Sequence, residues 1–282
     1  MIDFGLLMFA TDYAIAPDLL AKEAEAHGFE SLFLPEHTHI PASRKSPWPG
    51  GAELPQEYWH TYDPFVALSM AAAVTETLKL GTGISLITER DPILMAKQVA
   101  SLDFLSKGRV VLGIGAGWNA EEMENHGTPW NRRWKIVRER IEAMKAIWTQ
   151  DEACYDGEFV QFDPIWSWPK PVQTPHPPIL VGGDAPGTFK RVLRYGDAWF
   201  PSLNGNEAPS ELKQERMAEL AALAKDAGRE PFPITTNATP RNPAAIEKLA
   251  KAGVTRCLFG LKAAPADDVL PRLDKLATFL KL

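Results

Sequence analysis

The chain has 282 residues, 45% of them apolar and 23% charged, with a formal net charge of −6. An acidic balance without a basic run or tail excludes a nucleic-acid surface. No apolar run approaches the roughly 20 residues of a bilayer span, and the opening Met1-Ile2-Asp3-Phe4 lacks the basic stretch of a secretion signal. The two cysteines, Cys154 and Cys257, form no paired motif. They read as buried small side chains of a reducing, cytoplasmic protein.

Residues 2–8 read as a buried strand. Pro17 opens a helix whose apolar positions recur at helical spacing, and Gly28 stops it. Residues 31–34 form a second strand. Residues 35–62 are a long proline-bearing segment, and loops of that length in a compact domain are functional or disordered. Asp63-Pro64 opens the next helix, to about Glu76. Residues 79–86 are strand three, Asp91-Pro92 cap the helix through Leu105, and residues 109–114 are strand four. Asn119 and Glu122 have capping-box spacing for a short helix, followed by a longer one over 132–148. A hairpin is expected at 153–162 around Asp156-Gly157. A proline-rich link leads to strand five at 179–181, closed by Gly182-Gly183. Then come helix 187–195, strand 197–200, helix 209–227, strand 232–238, helix 243–252, strand 254–259 and helix 267–280. Eight strands, each followed by a helix, predict an α/β fold of the TIM (β/α)8-barrel type. The insertions fall after strand two (35–62) and before strand five (151–177), and a single domain spans 1–282.

In such a barrel the chemistry sits at the C-terminal strand ends. That places Glu36, His37 and His39 after strand two, Gly83-Ile84-Ser85 at strand three, Ala116-Gly117-Trp118 after strand four and Gly182-Gly183-Asp184 after strand five. Pro201-Ser202 and Asn237 follow later strands. Histidine titrates near neutral pH, so His37 and His39 are the acid–base candidates, with Glu36 tuning His37. Gly113-x-Gly115-x-Gly117 is one residue short of a dinucleotide fingerprint and lacks its downstream acid, so it reads instead as a floor for a flat ring. Gly182-Gly183, between a strand and a helix, suits a phosphate. His37-x-His39 is also compatible with a metal site, the basis of an alternative reading as a metal-dependent hydrolase. No aspartate on strand eight (Thr255-Arg256-Cys257-Leu258-Phe259) completes such a site, and no metal is expected. Trp48 and Trp59 are expected to wall the pocket and Trp118 to touch a cofactor. Trp134, Trp148, Trp166, Trp168 and Trp199 are read as packing or interface residues. Asp103 and Arg109 read as structural.

These residues carry a resemblance nearly end to end. Gly28-Phe29, Glu36-His37, Leu80-Gly81-Thr82-Gly83, Asp91-Pro92 with Ala96-Lys97, and Leu102-Asp103 with Leu105-Ser106 contribute to it. So do Gly108-Arg109, Gly113 through Trp118, Pro177-Pro178-Ile179 with Gly182-Gly183, and Gly196-Asp197-Ala198-Trp199. The chain resembles the luciferase-like monooxygenase superfamily, in particular its coenzyme F420-dependent oxidoreductase branch. The resemblance implies a TIM barrel that binds a deazaflavin, or alternatively FMN, at the strand C-termini. It implies hydride transfer to or from a small-molecule substrate, with His37 near the reactive carbon of the ring. It further implies a non-proline cis peptide bulge at Gly83–Ile84, ring or side-chain contacts at Ala116 and Gly117, a phosphate site at Val181, Gly182 and Gly183, and a homodimer. The alternative within the superfamily is an FMN-dependent monooxygenase using reduced flavin and oxygen. Three positions depart from relatives of this kind. Pro41 and Trp118 stand where sugar-phosphate dehydrogenases of the branch carry a tryptophan and an acid, and Ala116 stands where luciferases carry a flavin-phosphate arginine.

Overall fold

The computed structural model describes residues 2–51, 53–203 and 210–281, and of Leu212 the backbone alone. The strands in chain order are β1 (Asp3–Leu7), β2 (Ser31–Leu34), β3 (Lys79–Thr82), β4 (Ser85–Leu86) and β5 (Val110–Gly115). Next come β6 (Ala153–Asp156), β7 (Gln161–Ile165), β8 (Ile179–Gly182), β9 (Ala198–Phe200), β10 (Ile234–Thr236) and β11 (Val254–Gly260). All pairings except the β6–β7 hairpin are parallel, and the sheet closes: β1 pairs with β11 and β2, β3 with β2 and β5, and β8 with β5 and β9. β9, β10 and β11 complete the circuit. With β4 continuing the line of β3 beyond a cis Gly83–Ile84 peptide, eight staves form the expected TIM barrel. No helix among the described residues is long and apolar enough to cross a membrane.

The helices are α1 (Pro17–Ala26), α2 (Glu57–His60), α3 (Pro64–Ala73), α4 (Pro92–Leu105) and α5 (Ala120–Asn125). They continue as α6 (Arg133–Thr149), α7 (Thr188–Tyr195), α8 (Glu211–Asp226), α9 (Pro243–Lys251) and α10 (Ala266–Ala277). Several start where short polar side chains take up unpaired backbone donors. Asp63 accepts from the amides of Phe65 and Val66, and Asp91 from that of Leu94. Proline follows at the first helical position in both, where its missing N–H costs nothing. The start expected at residue 209 lies outside the described residues, and α8 is described from Glu211.

Two apolar layers follow from the alternation of strand side chains. Phe33, Val111, Leu180, Ala198, Phe200 and Leu258 fill the barrel, with Leu7 and Ile84 against them. The second, larger layer lies between staves and helices and includes the fully buried Trp199. Bulky inward residues fit because their neighbours are glycines. A Cβ on Gly81 would stand 2.4 Å from the Phe33 ring, and one on Gly5 2.8 Å from Leu258. Such contacts lie far inside van der Waals range, so alanine at either position forces the barrel wall apart.

Asp103 and Arg109 serve the structural roles expected of them. Asp103 accepts from the Val172 and Gln173 amides and so pins the proline-rich link, while Arg109 donates to the carbonyls of Ala72, Thr75, Leu78 and Ser106. Cys257 is buried as expected, but Cys154 is exposed. It stands on a hairpin that lies off the barrel, with one face in solvent.

At the N-terminal mouth, Glu30 takes a two-pronged pair from Arg256 at 2.8 Å and an ammonium from Lys79 at 2.7 Å. Burial alone would raise this carboxyl; the hydrogen bonds and charge of Arg256, then Lys79, outweigh it and bring it to about 2. A carboxyl depressed on folding stabilises above its unfolded pKa and loses that contribution as pH falls through the folded value. Urea unfolding of Glu30→Gln should therefore show a deficit of roughly 3 kcal/mol at neutral pH that closes as pH falls from about 4.5 towards 2. A deficit that does not change with pH would contradict the pairing.

Candidate active site

The strand C-termini open into a cavity of about 460 Å³. Its floor is backbone: Gly83 and Ile84 at the bulge, Gly115 through Gly117 beyond β5, and Gly182-Gly183 beyond β8. Some of these glycines answer to the barrel first. A Cβ on Gly115 would meet the Ile84 side chain at 2.6 Å, and one on Gly182 the Ile114 carbonyl at 2.9 Å. Gly183 differs. Its φ is +101°, and a Cβ there would meet nothing within 4 Å. It needs glycine for its backbone conformation and leaves open room beside the cavity.

His37 follows β2 on the segment Pro35-Glu36-His37, and its side chain is 6% exposed. Its Nδ1 lies 2.7 Å from Glu122 Oε2, a carboxylate 2% exposed on α5. The other Glu122 oxygen accepts from the Thr38 amide at 3.1 Å. One carboxylate thus holds both the ring and the backbone beside it. Nδ1 donates to this carboxylate, and Nε2 is left as the ring's basic nitrogen toward the cavity. Tyr58 and Trp118 pack on the ring at centroid distances of 5.2 and 5.7 Å, and Trp48 backs Tyr58 at 5.7 Å. Burial raises the Tyr58 phenol, which keeps it neutral.

Glu36 does not touch His37. It accepts from Ser85 Oγ at 2.6 Å, from the Leu86 amide at 2.7 Å and from Arg90, which also pairs with Asp63. The carboxylate on His37 is Glu122, which the sequence offered only as a helix-capping residue. Asn119 does cap α5 through the Glu122 amide at 3.2 Å, while the Glu122 side chain turns to His37. His39 lies outside the cavity, between Thr38 Oγ1 at 2.9 Å and Asn125 Nδ2 at 2.8 Å. His37 and His39 therefore do not converge. Among the described residues no group of three His, Cys, Asp or Glu side chains is arranged to hold a metal.

Of the other expected positions, Trp118, Ser202 and Asn237 line the cavity, and so does Trp134, which was read as packing. Trp48 reaches it only through Tyr58, and Trp59 lies half exposed beside Ile40 and Arg44. Pro49 and Tyr58 bring the 35–62 segment over the cavity, and Ser46 Oγ ties that segment to α5 by accepting from Ala120 N at 3.1 Å. The loop after β8 is set from behind: Trp199 Nε1 donates to the Gly183 carbonyl at 2.8 Å. Asp184, whose charge would oppose an anion there, is paired with Lys213 at 2.6 Å. At the start of α7, Thr188 Oγ1 is buried without a partner, as is Arg191 Nη1, while the Arg191 guanidinium stacks 3.5 Å from the Trp134 ring. Buried donors without partners beside a helix N-terminus are the chemistry of an anion site.

Residues 18–252 match the family model described as luciferase-like monooxygenase. An uncharacterized protein of Mycobacterium tuberculosis (strain ATCC 25618 / H37Rv) is 45% identical over 98% of each chain. Among solved structures, monooxygenase RslO1 from Streptomyces bottropensis superposes with a TM-score of 0.81 at 20% identity, over 99% of this chain and 98% of that one. An F420-dependent secondary alcohol dehydrogenase in complex with an F420-acetone adduct superposes with a TM-score of 0.74 at 16% identity, over 98% of each chain.

Arg90 neutralises a Glu36 carboxylate that is 1% exposed. Removing one partner of a buried pair leaves a charge without compensation, which costs about 3–5 kcal/mol. Arg90→Met should lower unfolding stability by that amount in guanidinium titrations, and adding Glu36→Gln should recover much of it. Equal stability of the single and double variants would show that the pair is not the anchor.

Proposed function

The chain belongs to the luciferase-like monooxygenase family, and we propose that it is a coenzyme F420-dependent oxidoreductase within it. As a family member it is an oxidoreductase or monooxygenase of the flavin and deazaflavin type. The observation that carries the narrower reading is His37. It is a buried imidazole with Nδ1 held by a carboxylate and Nε2 toward a glycine-floored cavity. Hydride transfer between an alcohol and a carbonyl must be matched by a proton, and this is the group placed to supply or take it.

The cavity fits the group. Gly83, Ile84, Ala116, Gly117 and Trp118 would bear the ring, and Gly182 and Gly183, with Thr188 and Arg191 behind them, would hold the phosphate; Val181, expected beside them, is fully buried between staves and helices and does not line the cavity. When bound, the deazaflavin accepts or donates the hydride. His37 Nε2 would receive the proton of a substrate hydroxyl, or return it to a carbonyl oxygen, in the cavity. Glu122 favours the imidazolium that forms and fixes the ring's orientation. Tyr58 and Trp118, packed on the His37 ring, would keep water from it, and Pro49 and Tyr58 of the long segment cover the cavity. Glu36 acts one step back, by fixing the chain from which His37 projects. His39, held by Thr38 and Asn125 and not among the residues that line the cavity, has no part in proton transfer to substrate in this reading. The F420-dependent relative with an acetone adduct supports a small alcohol or ketone as substrate. Homodimer assembly and a cytoplasmic location belong to the same reading, and exposed Val66, Met70, Leu94, Phe104 and Leu105 on α3 and α4 offer apolar surface for such an assembly.

A second reading, an FMN-dependent monooxygenase, draws on the likeness to RslO1. Ala116 speaks for the deazaflavin, because this position supplies no guanidinium for a flavin phosphate.

His37→Ala should cut F420-coupled turnover of small secondary alcohols by about 10²–10⁴-fold with F420 affinity within a few-fold of the unaltered protein. Stopped-flow absorbance of the deazaflavin reads both. Undiminished turnover would remove His37 from its role.

A further inference from the structure

An acid–base residue in a covered cavity must shed or regain its proton by some route to solvent. Behind His37 stands a row of titratable groups that contact with substrate does not explain. Glu89, which ends the short turn Ile87–Glu89, has a side chain 1% exposed. Glu89 lies beside the Glu122 carboxylate: burial, and then the charge of Glu122, push the Glu89 carboxyl up to about 9, so Glu89 keeps its proton at neutral pH.

Thr38 Oγ1 lies 3.1 Å from Glu89 Oε2 and 2.8 Å from His126 Nε2. Asn125 Nδ2 donates to His39 Nε2, so the His39 proton sits on Nδ1 and points at the Thr38 oxygen. His39 thereby steadies the hydroxyl and is not itself the outlet. His126 is. Its side chain is 32% exposed, and among the described residues its Nδ1 meets no protein partner. Burial holds His126 below the ordinary histidine range, so at pH 7 it is neutral and able to accept.

We propose that Glu122, Glu89, Thr38 and His126 form a proton relay that connects His37 Nδ1 to solvent behind the cavity. The proposal rests on His37 being the acid–base residue. The transfer is balanced and moves no electrons. Once Nε2 has taken up a proton, the Nδ1 proton of the His37 imidazolium passes to Glu122, which leaves a neutral ring protonated on Nε2. The proton held by Glu89 passes to Thr38 Oγ1 as the Thr38 hydroxyl proton passes to His126 Nε2. The proton on Glu122 then settles on Glu89, and His126 loses its Nδ1 proton to water. The reverse sequence delivers a proton inward. These four are positioning and conducting residues, since none of them touches the cavity's contents.

The test uses the cofactor-free protein and follows exchange of the His37 Nδ1 proton with water, read from its downfield NMR resonance. Thr38→Val should slow that exchange roughly tenfold or more, and Thr38→Ser, which restores the hydroxyl, should return it to the unaltered rate. His126→Ala, at an exposed position, should slow it likewise, with added free imidazole restoring the rate. Exchange unchanged or faster in Thr38→Val would overturn the relay, since a loosened structure speeds exchange where a broken wire slows it. Because no turnover is involved, the outcome is separable from that of His37→Ala. Slowed exchange beside undiminished turnover would keep the relay and discard the acid–base reading. Unaffected exchange beside lost turnover would do the reverse.

Discussion

The Glu36 carboxylate is the point from which the site is hung. Buried among Ser85, Leu86 and Arg90, it joins the end of β2 to β4 and to the start of the segment that leads into α4. Its charge is tolerable only because each oxygen is met by donors and the guanidinium cancels it. Arg90 extends the tie to Asp63, which also caps α3. The chain leaving the long 35–62 segment and the chain entering the site are thus held by one cation. His37 is the next residue after this anchor. Its direction into the cavity follows from where Glu36 must go.

The barrel's packing supplies the rest of the geometry. Large inward side chains at Phe33 and Leu258 fill the interior, glycines on neighbouring staves make room for them, and Phe200 extends to the cavity. Toward the C-terminal ends the glycines continue, with Ile84 and Phe200 against them. A solid core therefore gives way to a backbone-floored cleft without a change in sequence pattern. Close packing accounts for Gly115 and Gly182 in the floor, whereas Gly183 is required by its positive φ and opens to solvent at the cavity's rim.

The architecture was legible because it rests on local signals. Asp-Pro pairs mark the starts of α3 and α4, and the regular alternation of apolar runs with helical spacing yields eight staves in order. The strand ends then give the floor of the cavity without further information. The partner of His37 was not legible in the same way. Glu36 is adjacent in sequence, but successive side chains of extended chain leave on opposite sides, so adjacency points them apart. Glu122 arrives from 85 residues away, and its only local trace, the spacing from Asn119, had a sufficient explanation as a helix cap. Glu89 leaves no trace in sequence, because its buried setting arises only when the loops after β2, β4 and β5 meet. Trp134 was misplaced for a related reason: helical spacing marks it as a packing residue, yet the end of α6 that carries it reaches the rim of the cavity.

The proposed deazaflavin enzyme and its flavin-using alternative differ first in what the cavity binds. Titration calorimetry of the purified protein with oxidised F420, and separately with FMN, separates them. The account predicts saturable F420 binding at about micromolar affinity and no binding of FMN over the same range. Binding of FMN with none of F420 would contradict it and place the chain among the oxygen-using enzymes of the family.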